Sequence, residues 1–168
     1  MQAKNVLIAA NGTWPNQAIW KPLVDCSDII IACDGAVVQL LQNDIIPNFI
    51  VGDLDSIPQQ MFGSQIEQLG ITVIPMPNQD SNELAKALQY CKHLDATNID
   101  VIGVEGGRLD HQIGAYFALC EQGSNAILHL DNWTARLVPS KGLALNSIEK
   151  GKNISLFAIG TVNGVKLS

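Results

Sequence analysis

Four apolar runs in this chain each stop at a cluster of acids or glycines, and that recurrence limits the possible folds more than any other feature. Residues 28–33 (DIIIAC) end in Asp34 and Gly35, and residues 48–51 (NFIV) end in Gly52, Asp53, Leu54, Asp55 and Ser56. Residues 71–74 (ITVI) lead through two prolines to Gln79, Asp80, Ser81, Asn82 and Glu83. Residues 99–104 (IDVIGV) end in Glu105, Gly106, Gly107, Arg108, Leu109, Asp110 and His111. In a parallel α/β sheet, ligands bind in the crevice beyond the carboxyl ends of the strands. Four polar endings on one edge therefore predict a site as well as a fold.

Between these runs the apolar residues recur at helical spacing: Val37, Leu40 and Leu41; Phe62, Ile66 and Leu69; Leu84, Ala87, Leu88 and Cys91; Ile113, Phe117 and Cys120. Strand alternating with helix is the pattern of right-handed crossovers and a parallel sheet. A short buried strand over residues 6–10 opens the series and runs into a glycine-containing loop over residues 11–15. From residue 126 the character changes. Short β runs at 126–130, 135–138, 143–148 and 154–159 are separated by polar turns, which predicts antiparallel β structure. The expected division is an α/β domain over residues 1–125 and a partial β-sandwich over 126–168.

At 168 residues and 47% hydrophobic, the chain can bury a sizeable core. Its formal charge of −6 is spread along the sequence, which argues against a nucleic-acid footprint. An acidic protein that handles phosphates needs a metal cation between the two. Neither a secretory leader nor a membrane-length apolar run is evident, so a cytoplasmic location without membrane association is the expectation. Cys26, Cys33, Cys91 and Cys120 have neither CxxC nor zinc-site spacing and read as free, mostly buried thiols.

The chemistry rests on the acids. Asp53 and Asp55 are two apart, so if strand geometry persists through Leu54 their side chains share a face. Carboxylates that close repel unless a cation lies between them, and Mg²⁺ takes hard oxygen ligands of this kind. Asp55 or Ser56 could instead cap a helix beginning near Pro58, whereas Asp53 sits too early for a cap. Gly106, Gly107 and Arg108 precede a helix, where backbone N–H groups and a guanidinium fork suit phosphate. Taken alone, Asp110 reads as the N-cap of that helix, and Asp34-Gly35 as a cap or a nucleotide contact. Asp80 and Glu83 fit a solvated helix start, and Lys86 fits surface or core.

With Asp34-Gly-Ala, the stretch PNFIVGDLDS ending at Ser56, QDSNELAKAL from Gln79 to Leu88, and GGRLDH from Gly106 to His111, in that order and spacing, the chain resembles thiamin pyrophosphokinase. The resemblance implies an α/β catalytic domain with a C-terminal β-sandwich, a homodimer, and transfer of the pyrophosphoryl group of ATP to thiamin, leaving AMP. By motif, Asp53 and Asp55 would hold Mg²⁺, and Asp34, Gly35, Gly107, Arg108 and Asp110 would contact ATP. Gln79 and Glu83 would lie on the thiamin side, with Asp80 or Asp110 taking the hydroxyl proton.

Two departures accompany the resemblance. Asn82-Glu83 stands where the family usually has Thr-Asp, which lengthens the carboxylate arm. The family's sandwich also continues beyond the segment that ends at Ser168 and supplies an aromatic to the thiamin pocket across the dimer; Trp133, in a turn-like segment, is a poor substitute. The expectation is a fragment or a shortened member. A pyrophosphokinase acting on a hydroxymethyl pterin, or a nucleotide-binding module without turnover, remain alternatives.

Overall fold

The computed structural model describes residues 4–57, 65–78, 81–145 and 148–166. Seven strands form one sheet in the order β4-β3-β2-β1-β5-β6-β7. They are β1 (Asn5–Ala9), β2 (Ile29–Cys33), β3 (Phe49–Gly52), β4 (Thr72–Pro75), β5 (Asn98–Ile102), β6 (Ile127–His129) and β7 (Thr134–Arg136). Every neighbouring pair is parallel except β6 with β7. The expected α/β fold with a mostly parallel sheet is therefore present.

Side chains alternate between the two sheet faces, and each face has its own helices. Val6, Ile8, Ile31, Cys33, Val51 and Val101 pack under α4 (Glu83–His93) and α5 (Leu109–Gln122). Leu7, Ala9, Ala32, Ile50 and Ile102 pack under α1 (Gln17–Cys26), α2 (Ala36–Gln42) and α3 (Gln65–Gln68). Buried on both faces, the inner strands read as continuous apolar runs. Cys33 and Cys91 belong to this core, where burial pushes both thiols upward, Cys91 to about 12. All four cysteines are free.

Several expectations are corrected. Helix α1 lies where no helix was expected; its start is set by Asn16, whose side chain accepts from Ala18 N, and Pro22 sits inside it. The Ile113 and Phe117 stripe locates α5 but not its buried side. Those two are 46% and 51% exposed, while Ala115, Ala118 and Leu119 face the core. Small residues there let α5 lie close to α4, and Asn82 Nδ2 donates to Gly114 O at 2.8 Å.

The tail differs more. Strand β6 is parallel to β5 and extends the main sheet, and only β7 is antiparallel. Among the described residues of 143–148 and 154–159 no strand forms. Strand pairing needs a neighbouring ladder, and their large apolar residues, such as Ile154, Leu156 and Phe157, are exposed rather than packed. Trp133, 57% exposed, lies at the surface. No helix among the described residues is long and apolar enough to cross a membrane.

Candidate active site

The chain leaves β1 toward β2, β3 and β4 on one side, then returns to β5 on the other, so the topological switch point lies between β1 and β5. Ligand crevices form at such points, outside the carboxyl ends of the strands. Here the β1 and β5 loops are joined by backbone: Gly12 N donates to Gly103 O at 2.8 Å and Thr13 N to Glu105 O at 2.6 Å. A Cβ on Gly12 would stand 2.4 Å from Glu105 O, so only glycine permits this approach. The closure ties the two loops together at the switch point.

At the ends of β2 and β3 the carboxylates converge. Oxygens of Asp34, Asp53 and Asp55 lie within 4.8 Å of one another. Strand geometry does not bring them together, contrary to the sequence expectation, because β3 ends at Gly52 and Leu54 has φ 72°. A turn does so instead. Asp55 N donates to Asp53 Oδ1 at 3.4 Å, Ser56 Oγ donates to Asp55 Oδ1 at 2.9 Å, and Ser56 N donates to Asp34 Oδ2 at 3.1 Å. Asp34 is 3% exposed, and its Oδ1 is sealed from solvent without a partner. Burial pushes its carboxyl above the ordinary aspartate value, with the charges of Asp53 and Asp55 adding to the shift against the Ser56 hydrogen bonds. Asp34 is not a helix cap, since Gly35 holds the N-cap position of α2. The helix expected near Pro58 begins outside the described residues.

Across the cluster stands α4. Asn82 caps it, its Oδ1 accepting from Ala85 N at 2.8 Å. Glu83 follows, part-buried rather than solvated, and Lys86 beneath it is 1% exposed. Lys86 Nζ donates to Glu83 Oε1 at 2.6 Å and lies 3.7 Å from Asp53 Oδ2. Glu83 Oε2 is buried without a partner, and burial raises its carboxyl in spite of Lys86. Sequence reasoning missed Lys86. Its signal is a lysine three residues after a glutamate inside a run of small and apolar residues, 84–88, all of which are buried.

The β5–α5 half is open. Gly107 has φ 67°, which favours glycine, and nothing lies within 4 Å of where its Cβ would be. Arg108 is the N-cap residue of α5, and Asp110 falls in the first turn, so the capping role read for Asp110 is not realised. Asp110 instead receives the guanidinium fork, Nε at 3.1 Å and Nη2 at 2.6 Å. That hydrogen bonding holds the Asp110 carboxyl below its ordinary value. Gln79 and Asp80 lie outside the described residues.

An open parallel sheet with carboxylates and a glycine loop on its carboxyl edge defines an α/β protein whose ligand crevice lies at that edge. The catalytic domain of thiamin pyrophosphokinase matches residues 20–128, and the chain belongs to the thiamin pyrophosphokinase family. It is 35% identical to thiamin pyrophosphokinase 1 of Caenorhabditis elegans over 98 residues, covering 53% of this chain and 38% of the relative. The solved thiamine pyrophosphokinase of Bacillus subtilis superposes with a TM-score of 0.60 at 25% identity, over 75% of this chain and 60% of that one. A thiamin pyrophosphokinase family protein from Enterococcus faecalis shares the fold, with a TM-score of 0.62 at 22% identity over 75% and 61%. The chain thus spans less than two thirds of the length of these relatives.

Proposed function

We propose that this chain carries the catalytic domain of a thiamin pyrophosphokinase, transferring the pyrophosphoryl group of ATP to the hydroxyethyl oxygen of thiamin with release of AMP. The observation that carries this reading is the Asp34, Asp53 and Asp55 cluster on the carboxyl edge of a sheet that belongs to this family. Its all-oxygen donor set and the orphaned, buried Asp34 Oδ1 fit a hard divalent cation such as Mg²⁺. Asp34 then joins Asp53 and Asp55 as a cation ligand, rather than serving as the nucleotide contact that the motif alone implies. Mg²⁺ bound there supplies charge neutralisation on the phosphoryl oxygens.

The remaining work falls to the chain's own groups. Phosphoryl transfer asks mainly for positioning and charge stabilisation. Backbone N–H groups around Gly107, with the positive end of α5, receive phosphate oxygens, and Arg108 adds donors when its fork turns from Asp110. Asp110 and Asp80 are the candidates for the hydroxyl proton, and Arg108 holds the Asp110 carboxyl below its usual value. Gln79 and Glu83 stand on the thiamin side in this reading. A cytoplasmic homodimer is the setting that goes with it.

The test is nucleotide product analysis with thiamin and a hydroxymethyl pterin offered in parallel. AMP formed with thiamin alone supports the reading. AMP formed only with the pterin replaces thiamin as substrate, and ATP binding without AMP from either leaves a nucleotide-binding module.

A further inference from the structure

Among the described residues, Lys86 is the largest fully buried side chain. Lysine is almost never fully buried unless paired. Its ammonium lies 2.6 Å from Glu83 Oε1 and 3.7 Å from Asp53 Oδ2, directly beneath the one place among the described residues where three carboxylates converge. The independent sign that this place takes a ligand is Asp34: buried, within the cluster, and with Oδ1 unsatisfied. Asp34, Asp53, Asp55 and Glu83 bring four carboxylates, and among the described residues Lys86 is the one ammonium paired with any of them. Its stem is buried, and Glu83 Oε1 accepts from its head at 2.6 Å.

We propose that Lys86 is a built-in counter-cation that sets the cluster's selectivity, keeping its affinity for a free divalent cation low so that the site fills with a cation carried on a polyphosphate. The inference rests on the cation reading given above. A unit charge fixed a few ångströms from a part-buried cation repels it strongly. A polyphosphate brings negative charge that offsets that repulsion, so the bare metal is penalised and the metal-polyphosphate complex much less. Lys86 acts through the carboxylates and the cation and touches no reacting atom; it is a specificity-determining residue, not a catalytic one.

The experiment is titration of the full chain with Mn²⁺ alone, followed by electron paramagnetic resonance, with a second series in the presence of ATP. Lys86→Met is expected to tighten binding of Mn²⁺ alone by about tenfold, and that of Mn²⁺ with ATP by clearly less. Glu83→Gln is expected to weaken binding of Mn²⁺ alone by a similar factor. The double variant Glu83→Gln/Lys86→Met, whose cluster carries the same net charge as the wild type, should return close to it. The double variant leaves no buried ammonium or Glu83 carboxylate unpaired, so its comparison with Glu83→Gln stands even if Lys86→Met does not fold. Unchanged or weaker binding of Mn²⁺ on removal of Lys86, in either background, overturns the proposal. Asp53→Asn separates this failure from that of the underlying reading. If Asp53→Asn binds Mn²⁺ as tightly as the wild type, the cation reading itself falls; if it loses Mn²⁺ while Lys86 removal changes nothing, the reading stands and the role of Lys86 falls.

Discussion

At the β2–β3 half of the carboxyl edge Asp34 and Lys86 are buried and Asp53 and Glu83 part-buried, whereas at the β5–α5 half the charged groups are exposed and paired with a neighbour in the chain. Lys86 of α4 reaches Asp53 just past the end of β3 and pairs with Glu83 of its own helix. Arg108 and Asp110, with side chains 76% and 60% exposed, bind each other. Burying charge is costly unless every partner is present, and an exposed pair contributes little to stability. Substitutions at the buried Lys86–Glu83 pair should therefore cost stability, those at the loop residue Asp53 chiefly activity, and those in the second half activity alone.

The largest effect should come from Asp53→Asn. Loss of a ligand charge from a metal clamp should lower turnover by on the order of a thousandfold. Circular dichroism should show the fold intact, because Asp53 sits in a loop with only the longer of the two Lys86 contacts. Near-normal AMP release at ordinary Mg²⁺ would remove Asp53 from the cation site.

Lys86→Met comes next, on stability. It leaves the part-buried Glu83 carboxylate without its ammonium and should cost about 3 kcal/mol, read by urea unfolding in EDTA. Adding Glu83→Gln should restore most of the loss. If the single variant is as stable as the wild type, the Lys86–Glu83 pair does not contribute as described.

The contrasting half is tested by Arg108→Ala, which should raise the ATP requirement about tenfold and leave the thiamin requirement and the unfolding midpoint nearly unchanged. Gln79→Ala should do the reverse with respect to the substrates. Steady-state kinetics with each substrate varied would reveal equal effects of both changes if the two subsites are misplaced.

The smallest effect is a pH dependence. The folded carboxyl of Asp34 lies above its ordinary value, chiefly through burial, so the folded chain holds that proton more tightly than the unfolded chain does. The stability so gained is full below the ordinary aspartate value and is lost as pH rises through the folded one. Asp34→Asn removes that loss. In EDTA it should be more stable than the wild type at a pH above the folded Asp34 value, with the gap narrowing as pH falls through that value toward the ordinary aspartate one. A gap that stays constant down to the ordinary aspartate value would mean that Asp34 does not titrate differently on folding.

These two halves were not equally legible from the residues. Apolar runs with polar endings located β2, β3, β4 and β5 and put Asp34, Asp53, Asp55, Gly107 and Arg108 on one edge, because strand direction and chain order determine that placement. Helix α1 stayed hidden because Pro22 interrupts its pattern, although the Asn16 cap and the pairs Ile19/Leu23 and Trp20/Val24 marked it. From the sequence Lys86 fits surface or core without a role, because lysine on a helix is usually solvated, and only the small and apolar residues around it allow burial. The parallel alignment of β6 could not be read at all, since a short apolar run pairs with whichever edge strand the fold leaves open. Asp110 was misread as a cap because two neighbouring residues compete for one capping position.

The most direct measurement of the central claim is a crystal structure of the chain grown with Mn²⁺ and AMP, with the metal located by its anomalous signal. The account expects the metal among the carboxylates of Asp34, Asp53 and Asp55, with Asp34 Oδ1 in its coordination sphere and the AMP phosphate toward Gly107. A metal bound elsewhere, or a cluster left empty while AMP occupies the crevice, would contradict it.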